Sequence, residues 1–293
     1  GPLMVIMAAS SLFTPVIASD GVIEINQASA LAGNITTGDT PGYPVTLSDS
    51  GSYLLTGNLT LTDNTTDGIR IVANDVNLDL NGFSIIGPST CSVVEGVVVC
   101  SEPRGSGQAG VRVVGSNVTI INGTITGSAE SAIINESDLS GIRVERIAVR
   151  SNSGNGLSLR GTGIVVDNCL VELNGANGMR LDFVTGSCSV SGNTLIQNND
   201  AGAFYRGDND AQAICAFGDN LATDNGGDGL RQEGGTASFI GNQSIGNGGY
   251  GIGGAGISIY GQNVIRANDS GTIEPSPPVE IGMNFCDGNT TCP

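Results

Sequence analysis

The stretch NSGNGLSLR, residues 152–160, recurs as NGANGMRLD at 174–182, NNDAGAFYR at 198–206, NGGDGLRQE at 225–233 and NGGYGIGGA at 247–255. Each copy opens on Asn, carries Gly four residues later and follows it with an apolar residue, while the Gly-to-Gly steps run 22, 24, 27 and 22. A period of that size marks stacked supersecondary units, none of which can bury its apolar face alone. Upstream, Ala132, Gly110 and Gly68 fall at the same phase, the step from Gly68 to Gly110 being stretched to 42 residues by an insertion at 88–108. About eight or more coils are therefore expected.

Within each copy apolar and polar residues alternate, the period of a strand. Ile69, Val111, Ile133, Leu157, Met179, Leu230 and Ile252 directly follow the phase marker and are expected to form one inward stack. On the opposite limb, segments such as TIINGTIT, VVDNCLVE, VSGNTLIQ and FIGNQSIG align by eye on a shared Asn. Asn81, Asn122, Asn168, Asn193, Asn220, Asn242 and Asn263 are thus expected to pass hydrogen bonds from coil to coil as an Asn ladder, interrupted at Arg146. With strands about 4.8 Å apart, eight coils make a rod roughly 35 to 40 Å long. Over residues 53–270 the repeat resembles the right-handed parallel β-helix of the pectate-lyase-like superfamily, which includes exported NosD-like repeat proteins. That resemblance implies an all-β solenoid and carries little information about activity. Composition agrees, since 46 Gly, 13% charged and 4% aromatic residues suit a chain that turns often around a narrow aliphatic core.

The ends depart from the repeat. Residues 1–3 have the look of a tag remnant and residues 4–18 (MVIMAASSLFTPVIA) that of the apolar part of a signal peptide, so residues 1–19 are set apart from the fold. Export to the periplasm, the cell surface or the medium is the corresponding expectation. Residues 20–52 are expected to cap the first coil, with a short helix over residues 25–32 ending at Gly33, and residues 271–293 to cover the last. Seven cysteines fit an oxidising compartment. Cys91 and Cys100 bracket one short loop and Cys286 and Cys292 another, and each pair is expected to be a disulfide. Cys188 and Cys215 each precede a ladder Asn by five residues, which places them on adjacent coils either as a bridge or as a reduced pair. Cys169 is left as a buried free thiol, and none of these spacings matches a metal site.

The chain holds no His, no Lys and no Trp, and its eleven basic residues are all Arg. Imidazole acid–base chemistry and His-dependent triads are excluded. Among the enzyme types implied by the resemblance, polygalacturonase-like hydrolases and alginate epimerases require His, and the chondroitinase-like lyases require a Lys base. No pectin-methylesterase-like frame of Asp, Arg and Gln is found. Only the pectate lyase type, with an Arg base and carboxylates that hold Ca²⁺, needs nothing this chain lacks. Its candidate place is the outward face of the strand that follows the marker. Stacking there puts Arg160, Asp182, Arg206 and Glu233 in one column, with Arg180 and Arg231 beside it and Phe204 between them. On the lyase reading Arg206 or Arg231 is the base and Asp182 and Glu233 hold Ca²⁺, while Arg160, Arg180 and Phe204 bind the glycan. On the plainer reading the column is a solvated ladder of alternating charge.

Asp208, Asn209 and Asp210, and separately Asp224 and Asp228, form oxygen-rich turns without the spacing of a calcium loop. A formal charge of −17 opposes nucleic acid and anionic membranes as partners. The expectation is an exported β-helix for recognition or scaffolding, with polysaccharide as its ligand class; a Ca²⁺-dependent uronate lyase and a structural component of a surface assembly are the alternatives.

Overall fold

The computed structural model describes residues 21–103, 107–208, 213–274, 279–288 and 292. The leader expected within residues 1–19, together with Asn209 and Asp210, lies outside them. The chain winds into a parallel β-solenoid of about nine turns. Each strand pairs with its counterpart one coil later, so the column after the phase marker runs in register from Ile69 through Val111, Ile133, Leu157, Met179, Ala203 and Leu230 to Ile252. All are fully buried except Ile252, at 5% exposure. A second inward column carries Val190, Phe217, Phe239 and Tyr260, and the Phe217 and Phe239 rings stack with centroids 5.0 Å apart. At the last coil this column receives Glu280, which is exposed and accepts a hydrogen bond from Asn284 Nδ2 at 2.9 Å. A charge on the core axis is one way an open sheet end resists further pairing.

Both ends join the stack rather than lying over it as separate caps. Val22–Ile25 pairs with Gly51–Leu55, and Val45–Leu47 with Ile69–Ile71. Ile25 is thus the last residue of a strand, and the helix is Gln27–Ala32, started by Asn26 and Ser29 in a reciprocal capping box. At the other end Gly271–Ile273, Val279–Glu280 and Phe285–Cys286 are all in parallel register with the coil before.

Two Asn ladders run along the axis. One is built by the repeat's opening Asn: Asn152, Asn174, Asn198, Asn225, Asn247 and Asn268, each passing Nδ2–H to the next Oδ1 at 2.8 to 2.9 Å. The second holds Asn193, Asn220, Asn242, Asn263 and Asn284. Asn122 and Asn168, expected in this second ladder, stand one residue too early, and Asn81 lies in a corner with two extra residues, just after the buried Leu80. They take left-handed backbone at the corner (φ 50°, 61° and 52°), as does Arg146 at 51°. The inward position of their coils belongs to residues such as Cys169, whose N–H donates to Asn193 Oδ1 at 2.9 Å.

The marker glycine belongs to the same device. A Cβ on Gly178 would lie 2.5 Å from the Gly202 carbonyl oxygen and 2.7 Å from Asn198 Nδ2. The glycine clears the space that the next coil's ladder amide fills. Disulfides join Cys91 to Cys100, Cys286 to Cys292, and Cys188 to Cys215, the last pair being register neighbours on adjacent coils. Cys169 is free and buried, and burial pushes its thiol up to about 11. The insertion is an antiparallel hairpin, Cys91–Val94 with Val97–Cys100, turning at Glu95 and Gly96 with positive φ at both (52° and 83°) as a type I′ turn requires.

Candidate functional site

Parallel register lines up the outward side chains two residues past the marker. Arg70, Arg112, Ile134, Ser158, Arg180, Phe204 and Arg231 follow one another along the axis. Six steps of about 4.8 Å give this row a length of roughly 29 Å. Beside it Asp182, Arg206 and Glu233 stand on successive coils, as their spacing predicts. Arg160 stands at the head of this second row but turns to Asp138 (Nε to Oδ1, 2.8 Å) instead of Asp182. Arg112, absent from the expected set although it is two residues past Gly110, is clasped by Asp67, Glu130 and Glu136. Burial alone would lower the Arg112 pKa, but hydrogen bonds with Asp67 and Glu130 outweigh it and raise it.

A bulge supplies the residue that spacing did not reveal. Register slips between Leu181 and Val184, so Phe183 is an extra residue at φ 51°, pushed outward and 43% exposed. Its ring lies between two guanidinium groups, with Arg206 Cζ 4.4 Å and Arg160 Cζ 5.0 Å from the centroid. Phe204, expected as a stacking surface, is only 9% exposed because Arg180 lies over it at 5.3 Å. A shallow groove of about 340 Å³ runs between Arg180 and Arg231 over Phe204, and a smaller one of about 190 Å³ adjoins Arg160, Asp182 and Phe183.

Ion pairs hold the face together. Asp182 accepts from Arg180 Nη2 at 2.6 Å and from Arg206 through Nε at 2.5 Å and Nη2 at 2.8 Å. Arg231 donates to Asp228 at 2.9 Å and to Glu233 at 3.0 Å. Burial would lower the Arg231 pKa, but these two carboxylates outweigh it and raise it, so the group is held as a cation. The donor set does not fit Ca²⁺, which takes six to eight oxygens. Both Asp182 oxygens already face guanidinium groups, and among the described residues no group of three or more Asp, Glu, Cys or His could hold an ion.

For Asp182, burial would raise the pKa, but hydrogen bonds from Arg206 and Arg180 outweigh it and lower it. A depressed folded-state pKa means stability that is fully present above the unfolded value, about 3.9, and is lost as pH falls through the folded one. Urea unfolding from pH 7 down into acid is expected to show wild type losing stability that Asp182→Asn lacks throughout. Parallel acid limbs for the two proteins would remove Asp182 from the acid response.

A family model described as the right handed beta helix region matches residues 58–214. The chain belongs to this right-handed β-helix family. No curated protein matches it. Similar solved structures include the enzymatically active domain of bacteriophage CBA120 tailspike protein 2, at TM-score 0.51 and 16% identity, over 82% of this chain and 38% of that one. A mutant of the periplasmic alginate epimerase AlgG has TM-score 0.49 at 10% identity, over 81% of this chain and 70% of that one. The A-module of the Azotobacter vinelandii mannuronan C-5 epimerase AlgE4 has TM-score 0.41 at 12% identity, over 91% and 85%. At these identities the likeness shows the β-helix fold alone. This β-helix spans 38% of the tailspike domain's length. Among the described residues no helix is long and apolar enough to cross a membrane.

Proposed function

We propose that this β-helix is an exported recognition or scaffolding protein that binds an extended glycan along the Arg and Phe rows. The observation that carries the reading is Phe183. A large ring held 43% exposed on left-handed backbone opposes both burial and backbone preference, and two arginines fix its orientation. The exposed part of this ring offers apolar surface to a sugar, beside guanidinium groups that keep N–H donors beyond those engaged by Asp138 and Asp182. Three disulfides accord with export. The lyase alternative asks Arg206 or Arg231 to accept a proton, yet both are paired with carboxylates. Binding without turnover is the better supported reading.

Affinity electrophoresis in gels containing alginate, pectate or galactomannan tests it. Wild type is expected to be retarded by at least one polymer, and Phe183→Ala to lose about tenfold or more in affinity, the scale of one lost stacking contact with its ordered neighbours. Unretarded migration in all three gels would sink the reading. Incubation with the two uronate polymers, with and without Ca²⁺, is expected to leave ultraviolet absorbance unchanged. A rise abolished by Arg206→Ala would put the lyase in place of the binder.

A further inference from the structure

The 91–100 hairpin lies along the axis across the turns that open each repeat. At its base Ser89 Oγ and Ser153 Oγ are 2.7 Å apart, and further on the Val98 N–H donates to Asn199 Oδ1 at 3.3 Å. Glycine in those turns permits the approach, since a Cβ on Gly175 would sit 3.0 Å from Cys100 Sγ. Near its tip the hairpin stands off the solenoid and leaves a slot of about 450 Å³. Val93 and Val98 form the slot's apolar wall; Asp224, Asp269 and the glycine-rich turns form the other. Among the described residues no basic side chain lines it. Neither carboxylate is engaged by a protein side chain among the described residues, in contrast to Asp182 and Asp228 on the Arg face. Gly226 lines both this slot and the groove between Arg180 and Arg231, so the two cavities meet over one turn.

We infer that the slot under the hairpin is a second sugar subsite that takes a neutral side branch of the glycan whose main chain lies on the Arg and Phe rows. This assignment rests on the glycan-binding reading given above. Free carboxylates accept hydroxyl donors in strong, charge-assisted bonds, whereas an anionic sugar placed between them would be repelled. The valine wall suits the apolar face of a pyranose ring. Gly226 lines both cavities, so a branch carried by a chain in the groove has a single turn to cross before it reaches the slot. The disulfide between Cys91 and Cys100 ties the two strands together at the hairpin base.

The test uses the intact protein with valine methyls labelled for NMR, titrated with galactomannan oligosaccharides and with linear mannan oligosaccharides of equal length. The branched probe is expected to bind about tenfold tighter and to shift the Val93 and Val98 methyls, and Asp224→Asn to erase that advantage, the scale of one lost charge-assisted hydrogen bond. Phe183→Ala weakens both probes alike. Equal affinity for the two probes, or binding that leaves the Val93 and Val98 methyls unmoved, overturns the subsite while the main-chain reading stands. Binding of neither probe, with alginate and pectate also unbound, overturns both. Shifts of the same methyls produced by Ca²⁺ alone would make the slot a cation site and likewise overturn the sugar assignment.

Discussion

Asn220→Ala is expected to lower folding stability by roughly 2 to 5 kcal/mol, a large share of the 5 to 15 that holds a typical domain together. Asn220 is 1% exposed. Its Oδ1 accepts from the Asn193 backbone N at 3.1 Å and from Asn193 Nδ2 at 2.9 Å, while its Nδ2 donates to the Val190 carbonyl at 2.8 Å and to Asn242 Oδ1 at 2.9 Å. Truncation leaves a buried donor on Asn193 and a buried acceptor on Val190 without this partner, and it is the unmet groups more than the lost bonds that set the cost. Asn168→Ala is the matched control. Asn168 is exposed and among the described residues its amide donates only to the neighbouring Asp167, so the loss expected is about 1 kcal/mol, set by Ala on left-handed backbone. Urea midpoints of the two variants check the pair. Equal losses at both positions would show that the buried amides contribute no more than surface ones.

Gly178→Ala is expected to cost about 1 to 3 kcal/mol through overpacking alone, and more if the ladder opens. The new methyl would face the Gly202 carbonyl at 2.5 Å and Asn198 Nδ2 at 2.7 Å, and neither is the loose end of a flexible side chain. Relief requires adjacent coils to part, which stretches the parallel backbone bonds and the Asn174 to Asn198 amide bond together. Gly218→Ala offers the contrast, because its nearest neighbour beyond the adjoining residues is 3.9 Å away. Thermal unfolding that shows Gly218→Ala near wild type and Gly178→Ala well below it confirms the clash. Similar midpoints would mean the coils separate at little cost.

The fold was legible because its determinants are local and repeated. Alternation and a constant Asn-to-Gly spacing placed the inward stack, which the structure reproduces in register and supplements with Ala203. The phase of the second ladder was misread at Asn168 for a reason visible in the numbers. Asn168 to Asn193 is a step of 25, whereas Gly178 to Gly202 on the same pair of coils is 24. One residue decides whether a side chain points into the core or sits at a corner, and alignment by eye tolerates that slip. Asp182, Arg206 and Glu233 could be placed as neighbours for the same reason as the stack, since register fixes which outward side chains adjoin, whereas Arg112, at the phase of Arg180, was left out. Phe183 was not found, because a bulge is an exception to the period that locates everything else. The opening Asn defines the repeat in sequence without showing that its side chain is buried, and its recurrence before a space-making Gly is the mark of a buried amide column. The hairpin's orientation along the solenoid depends on contacts such as Val98 with Asn199, 101 residues apart, that no local pattern encodes.

The direction of the ladders gives the molecule a mechanical anisotropy. Amide-to-amide bonds and the parallel backbone bonds both run along the axis. Tension applied between the two ends therefore loads one coil boundary after another in series, and the weakest boundary gives first, so the rod peels in steps of one coil. A load across the axis has to shear many boundaries at once and meets far greater resistance. The Cys188 to Cys215 bond crosses one boundary covalently and would halt such peeling there. A pulling experiment on the oxidised protein should record a protected segment at that boundary, and reduction should release it as one further step.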